Sequence, residues 1–427
     1  FVPGQPAGLL TVIGFGGNYS ALVFDSESRV IGKLTVTVPK NSLAYTGALT
    51  LASESKTITL PTRRLLQPAS DLNSASDTTL IQIPAVKNGR PAHSYRLSFD
   101  VNIAGYLEGN LELDDAPFAD CEGRLNYVAP ERSSAPWRGQ YTFTLGRAST
   151  GSAEDVLPLG TGYAVATIST TGKLSLSGRL GDGTLLTATA QADPDGNYRV
   201  FIKPYSTRVN QGLGGMLILN AHPDFPPAPS PMSRYHANNV WNWSKSGLAS
   251  DKSYRTGFGP TISFVDLEPW QPPAKRIPAR GTTPEAPAVT LAQRLRLTTS
   301  NTLNAPFALE YDHVNLSLTQ LSAQPSSLWL RSIGTVIYPS PNTTSFKISF
   351  KATTGAFTGE FIITEPIVPP AKKALTRKAT FVGILSQPPL GSSDIIGSGH
   401  FMLSPLPGAT STEQTSGLIR LLVPSTL

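Results

Sequence analysis

The sequence predicts an all-β protein: two antiparallel β-barrel-like or sandwich domains built from related hairpins, with very little helix. Three observations carry this. Glycine and proline number 37 each among 427 residues, and charged residues make up only 15%, against about a quarter in ordinary globular chains. Apolar residues recur at every second position, which lines one face of a strand. A short phrase is written three times: "LAYTGALTLAS" (Leu43–Ser53), "LSLSGRLGDG" (Leu174–Gly183) and "GAFTGEFIITE" (Gly355–Glu365). Each copy sets Ser or Thr, then Gly, then one residue, then Leu or Phe.

In chain order, "GFGGNY" (Gly14–Tyr19) is rich in glycine, but no helix pattern follows it. A phosphate would find no helix N-terminus there, so it reads as a turn into a strand. "GKLTVTVP" (Gly32–Pro39) alternates Leu34, Val36 and Val38 with Lys33, Thr35 and Thr37. "SYRLSFDVNI" places Tyr95, Leu97, Phe99, Val101 and Ile103 on one side, and "GYLEGNLELDD" suggests a tight hairpin around Glu108, Gly109 and Asn110. "GNYSALVF" (Gly17–Phe24) and "GQYTFTLG" (Gly139–Gly146) share Gly, one residue, Tyr, then alternation. "SFKISFKAT" (Ser345–Thr353) alternates Phe346, Ile348 and Phe350 with Lys347, Ser349 and Lys351. "TLAQRLRL" (Thr290–Leu297) fits two turns of helix or a strand equally well.

Each repeated phrase follows an alternating strand and a polar turn, so each is expected to be the second half of a β-hairpin. Gly172 and Gly355 suit turn positions with positive φ. Gly47, Gly178 and Gly359 then fall inside strands, where glycine needs a reason: a bulge, a sharp bend or another backbone pressed close. These are the devices that curl a sheet toward a barrel.

The first domain is expected over residues 1–130 and a larger second one over 131–427. The best linker is "VAPERSSAPW" (Val128–Trp137). Proline-rich loops occupy 221–239 and 268–288, and a break near Ala221–Asn239 is the alternative grouping.

Composition narrows the function. The net charge is +6 and the cations are scattered; the densest run is "KKALTRK" (Lys372–Lys378). It reads either as a patch for an anionic surface or as a solvated strand edge. With no nucleic-acid motif and no aromatic interleaving, nucleic acid is not expected as a partner. The lone Cys121 rules out an intramolecular disulfide framework. The chain begins at Phe1 rather than Met, as expected of a mature or excised segment. No apolar run approaches the ~18 residues of a membrane helix, and internal proline fits a membrane barrel badly; no membrane insertion is expected.

Candidate chemistry is sparse, and no cofactor or metal is implied. His93, His222, His236, His313 and His400 show no metal-ligand spacing. His222 and Asp224 could share a metal or act as an acid–base pair, though a loop explains them. "DPDGNY" (Asp193–Tyr198) looks like a calcium loop but lacks the later Glu such a site uses; an Asp-Gly turn explains it. Glu112, Asp114, Asp115, Asp120 and Glu122 could supply paired carboxylates for glycoside hydrolysis or simply form solvated strand faces. Trp241, Trp243 and Tyr235 cluster after a proline-rich loop, with Trp270 beyond. They could form a platform for sugar rings, or plug a barrel end.

"PLGTGYAVATISTTGKLSLSGRLGDGTLLTATAQADPDGNYRVFIKPY" (Pro158–Tyr205), with the later "NVWNWSKS", "YRTGFGP" and "TGAFTGEF", resembles all-β repeat modules of large exported bacterial surface proteins. The resemblance implies a secreted or cell-surface, adhesion-like setting and brings no catalytic residue with it. The expected function is therefore non-enzymatic: a structural or adhesive surface protein presenting rigid β modules and able to self-assemble as a homo-oligomer. Its expected partners are other surface protein copies or cell-envelope glycans. A glycan-binding module using the aromatics and a carboxylate-based hydrolase are the alternatives.

Overall fold

The computed structural model describes residues 14–423 except 41, 67–72, 86–90, 131–133, 148–156, 206–207, 222–234, 277, 279–286, 298–303, 314–315, 318–319, 321–327, 333, 366–374, 388–393 and 407–411. The described chain is nearly all antiparallel strand, arranged in three sheets of barrel-like form.

The first sheet comprises β1 (Gly17–Phe24), β2 (Val30–Val38), β3 (Ala44–Leu51), β4 (Ile58–Arg64), β5 (Ser74–Ile83), β6 (His93–Asn102), β7 (Tyr106–Leu113) and β8 (Ala116–Leu125). The second comprises β9 (Gly139–Arg147), β10 (Gly162–Ile168), β11 (Lys173–Arg179), β12 (Leu185–Gln191), β13 (Tyr198–Ile202), β14 (Gly212–Leu217), the short β15 (Asn220–Ala221), β16 (Tyr235–Ser246) and β17 (Gly257–Pro269). After the one-turn helix α1 (Leu291–Arg294), the third holds β18 (Asn304–Asp312), β19 (Leu328–Arg331), β20 (Val336–Ile337), β21 (Lys347–Lys351), β22 (Ala356–Thr364), β23 (Thr376–Leu385), β24 (Ile395–Leu403) and β25 (Thr415–Leu422).

All three are meanders whose first strand pairs with their last. The orders are β4-β3-β2-β1-β8-β7-β6-β5, then β12-β11-β10-β9-β17-β16-β14-β13 with β15 beside β16, then β20-β19-β18-β25-β24-β23-β22-β21. The two ends of each order also meet. Leu66, just past β4, exchanges both main-chain bonds with Ser76 of β5, at 2.7 and 2.9 Å. Ala192 bridges Tyr198. In the third sheet a side chain makes the link: the Tyr338 hydroxyl accepts from Ile348 N at 3.1 Å and donates to Ile348 O at 3.2 Å. This near-closure shortens the open edges that would otherwise pair with another chain.

The sequence led to two domains, and this is corrected to three sheets. The expected second domain contains two of them; the expected loop at 268–288 begins with the last two residues of β17, and its remainder lies between β17 and β18 in the chain. Alternation marks a strand but not which strands share a closed sheet. The repeated phrase was the better guide, because its copies fall one per sheet, in β3, β11 and β22.

The predicted hairpins are present as β2–β3, β10–β11 and β21–β22. Gly172 and Gly355 turn the last two at φ 80° and 77°. Gly47, Gly178 and Gly359 sit on the inward stripe of their strands, between buried neighbours two residues away. Each faces the same obstacle. A Cβ on Gly47 would lie 2.6 Å from Thr35 O, and one on Gly178 or Gly359 would overlap Tyr163 O or Lys347 O. In every case that carbonyl precedes the residue paired with the glycine (Val36, Ala164, Ile348). The adjacent strand therefore coils over the glycine at a distance that a side chain would prevent.

The echo between Gly17–Phe24 and Gly139–Gly146 also has a structural meaning. Tyr19 OH donates to Phe15 O at 2.8 Å, and Tyr141 OH donates to Trp137 O at 2.6 Å, both four residues back. Asn126 N bonds Asn18 O, and Trp270 N bonds Gln140 O, so each last strand is tied to its first in the same way.

Two local readings change. Tyr106–Leu113 is one continuous strand; the reversal comes at Asp114 and Asp115, whose φ of 50° and 66° make the turn into β8. Ile103 leaves the buried stripe of Tyr95, Leu97, Phe99 and Val101 and is exposed just past the end of β6. The helix over "TLAQ" is real but short: Thr290 and Gln293 form a reciprocal capping box, and Leu291 and Ala292 join the core of the third sheet.

The interiors are filled. In the third sheet Phe346 stacks on Phe381 with centroids 5.4 Å apart, and Tyr311 stacks on Phe361 at 4.7 Å. In the first, Tyr45 meets Phe99 edge to face at 5.1 Å. Many outward residues are polar, among them Lys33, Thr35 and Thr37 on β2, Arg96 and Asp100 on β6, and Lys347, Ser349 and Lys351 on β21, while Leu185, Ile262 and Phe264 are exposed apolar residues.

The chain divides into two compact units. One comprises Phe1–Val128, Ala190–Leu217 and Trp241–Lys245; the other comprises Ala129–Thr189, Ile218–Val240 and Ser246–Leu427. Within the first unit, Val30 N donates to Asn242 Oδ1 at 3.1 Å, and Tyr127 N donates to Ala192 O at 2.6 Å. Within the second, Trp270 Nε1 donates to Ala352 O at 3.1 Å, and Gln271 and Gln387 exchange amide hydrogen bonds.

Gly178→Ala is expected to cost about 2–3 kcal/mol, as overpacking against rigid backbone does. Gly259→Ala, where nothing lies within 4 Å of the added carbon, is expected to be neutral or slightly stabilising. Urea unfolding of both variants checks the pair.

Candidate functional site

A buried grouping of ionisable side chains in the first unit lies where the β3–β4 turn meets the start of β6. Glu54, in that turn, is buried. Its Oε1 accepts from Tyr95 OH at 2.7 Å and pairs with His93 Nε2 at 2.9 Å. Ser53 Oγ lies 3.1 Å from the same Tyr95 hydroxyl, and His93 Nδ1 lies 3.1 Å from Pro91 O. The alternation of β6 explains the placement: His93 and Tyr95 are two residues apart and share a face. Beyond β13, Lys203 Nζ donates to Leu51 O at 3.3 Å and to Glu54 O. Burial lowers the pKa of this ammonium, and the Glu54 charge counters the shift.

Chemically this is a chain of hydrogen bonds, Ser53–Tyr95–Glu54–His93, with a cation fastening the turn's main chain. One carboxylate oxygen takes two donors, which suits a structural clamp. Sequence reasoning missed it, because Glu54 and His93 are 39 residues apart and neither carries a local motif.

The residues named from sequence are placed elsewhere and do not converge. Trp241 is 0% exposed and Trp243 is 4% exposed. Their indole nitrogens donate to Met216 O at 3.3 Å and to Tyr205 OH at 3.0 Å. Neither ring offers a face to a sugar, so a stacking platform on them is set aside in favour of interior packing. The Tyr235 and His236 side chains lie outside what is described, as do His222 and Asp224. Trp270 is buried.

The acidic group forms a hairpin surface. Asp114 Oδ1 accepts from Ser94 N at 2.7 Å, and Arg96 pairs with Glu112 at 3.4 Å and Asp115 at 2.8 Å. Asp120 and Glu122 point outward from β8. Period-two spacing put these carboxylates on the wet face, where cross-strand arginine meets them.

Asp193 is buried and acts as the cap of the β12–β13 turn. Its Oδ1 accepts from Asp195 N and Asn197 N, and Arg199 pairs with its Oδ2 at 2.8 Å. Asp195 pairs with Arg124. Cys121 is buried in the first core, and burial pushes its thiol up to about 12, away from nucleophilic use. In "KKALTRK", Lys372 and Lys373 lie outside the described residues, Arg377 pairs with Glu365, and Lys378 pairs with Glu360. Among the described residues, no group of three or more His, Cys, Asp or Glu could hold a metal ion.

His313 lies at the end of β18 in the third sheet. Its Nε2 lies 2.9 Å from Thr415 Oγ1, and its ring stacks on Phe401 at 5.6 Å. Burial lowers its pKa from 6.5 to about 4.

Compared with protein-family models, with curated proteins and with solved structures, the chain matches none.

Two outcomes are expected. Glu54→Ala leaves the Tyr95 hydroxyl and His93 without this acceptor and should cost about 3 kcal/mol, read as a lowered urea midpoint. His313 binds a proton more tightly when unfolded, so the stability present above pH 6.5 is lost as pH falls toward about 4. The loss runs at up to about 1.4 kcal/mol per pH unit. His313→Gln should remove that part of the slope in unfolding curves recorded across the interval.

Proposed function

We propose that the chain is a non-enzymatic structural or adhesive component of a cell surface, presenting rigid β-barrel modules to other copies of itself or to cell-envelope glycans. The observation that carries this reading is the filling of the barrels. Tyr, Phe and Leu side chains occupy the interiors, as in the cluster of Phe346, Phe381, Phe357 and Phe361. A barrel that holds a ligand keeps its lumen open; these sheets use theirs as core. What the molecule presents is its exterior.

That exterior favours a wet setting. A barrel in a bilayer carries an apolar outer band and a polar interior. On β21 and the residue before it the polarity is the reverse, with Lys347, Ser349 and Lys351 outside and Phe346 and Ile348 inside. Buried Trp241 and Trp243 take weight from a glycan platform at those residues, and the scattered carboxylates take weight from hydrolysis.

Sedimentation velocity over a wide concentration range, together with retention on isolated cell-envelope material, tests the proposal. Self-association or retention is expected. A strict monomer that envelopes do not retain would overturn it.

A further inference from the structure

The second compact unit contains a joint between loops of the second sheet and the β24–β25 hairpin of the third. On one side the β16–β17 loop lies along the start of β25. Gln414 N donates to Lys252 O at 2.8 Å, and Ser253 and Gln414 form a parallel bridge. Arg255 N donates to Glu413 Oε1 at 2.7 Å, and Arg255 Nη1 donates to Thr412 Oγ1 at 2.8 Å. Ser416 N donates to Tyr254 OH at 3.1 Å. Tyr254 is buried and sits at φ 52°, a conformation costly for a bulky aromatic and kept only where the surroundings impose it.

On the other side the β9–β10 and β11–β12 loops close over His400 and Ser416. Gly160 N donates to Ser416 Oγ at 3.0 Å, Ser416 Oγ donates to Gly181 O, and Thr161 N donates to Gly399 O at 3.1 Å. His400 is 2% exposed, and its Nδ1 lies 3.0 Å from Thr161 O. A carbonyl only accepts, so Nδ1 carries the proton of the neutral ring. A Cβ on Gly160 would overlap both His400 Cβ and Ser416 Oγ. The joint is closed at contact distance around an imidazole.

We propose that this joint is an acid-released clasp with His400 as its trigger: a proton taken up by the imidazole unseats the β24–β25 hairpin from the second-sheet loops while both sheets stay folded. Burial is the main force against the imidazolium; the Thr161 carbonyl and the charge of Asp182, in the β11–β12 turn, oppose that force, and Arg179 of β11 adds to it. The Tyr163 ring of β10 lies 6.1 Å away. On the hairpin itself Leu418 is the cross-strand neighbour, and Glu413 is held by Arg255. Burial outweighs the rest and holds the ring's pKa down to about 4 while the joint is closed. Once the joint opens, the ring titrates near its ordinary value, so protons favour the open form. The opening equilibrium then rises by up to about tenfold per pH unit from 6.5 down to about 4.

Hydrogen exchange on the full chain, corrected for the intrinsic rate at each pH, tests this. The reporters are the amides of Gly160, Thr161, Gln414 and Ser416; amides shared by β22 and β23 are the control. Reporter protection should fall by up to about tenfold per unit over that interval while the control holds. His400→Gln should flatten the slope. Tyr254→Phe, which removes the bond to Ser416 N, should lower protection by one factor at every pH and keep the slope. The proposal is overturned if the wild-type reporters are flat with pH, if His400→Gln keeps the slope, or if the control falls in step. Should His400→Gln not fold, His313→Gln decides: a persisting slope supports the clasp, and a vanished one assigns it to His313 and overturns it.

Discussion

A main-chain carbonyl stands where the side chains of Gly47, Gly178 and Gly359 would be, and the architecture depends on that close approach. An antiparallel meander of eight strands closes only if its strands coil strongly. An inward residue with a Cβ would hold the next strand off and flatten the turn of the sheet. Glycine inside a strand costs about 0.5–1 kcal/mol relative to alanine, a loss that closure offsets by pairing edge strands. Where pairing thins, other groups complete the ring: a two-residue bridge at Leu66 and Ser76, and the Tyr338 hydroxyl on β21.

Closure in turn sets the polarity of everything else. With one face of every strand turned inward, Leu, Phe and Tyr meet across a small lumen and fill it. Ser, Thr, Lys and Asp take many of the outer positions, beside exposed apolar residues such as Ile262 and Phe264. Ionisable groups then come under cover mainly at the ends of the sheets and at joints, where loops fold over them. Glu54 with His93, His313 with Thr415, and His400 with Thr161 are three such places. At the two latter histidines burial disfavours the imidazolium, which makes the neutral ring part of the folded structure and acidity its natural antagonist.

The joints differ from the cores in kind. The cores are made mainly of apolar side chains; the joints are made of backbone amides, hydroxyls and glycines at contact distance. Gly160 admits the His400–Ser416 edge, Gly181 admits the Gly160 carbonyl, and Tyr254 is held in a conformation its own backbone disfavours. Such contacts are specific and directional, and a buried polar group that loses its partner is costly.

The sequence alone determined the class of structure. Alternation at Leu34, Val36 and Val38, or at Tyr95, Leu97, Phe99 and Val101, requires strands with one buried face. The thrice-written phrase located the bending glycines, because each rests on contacts with the neighbouring strand of its own hairpin. The number of barrels was not legible: closure is a pairing between strands far apart in sequence, as Tyr19 with Leu125 or Glu310 with Arg420, and alternation carries no record of it. Tertiary structure alone decided that Trp241 and Trp243 lie inside, that Asp114 and Asp115 make a turn, and that Glu54 meets His93. It also brought His400 to Thr161, 239 residues away. The physical reason is the same throughout: local pattern specifies which face of a strand is dry, while the identity of what covers it is set by the register and closure of the whole sheet.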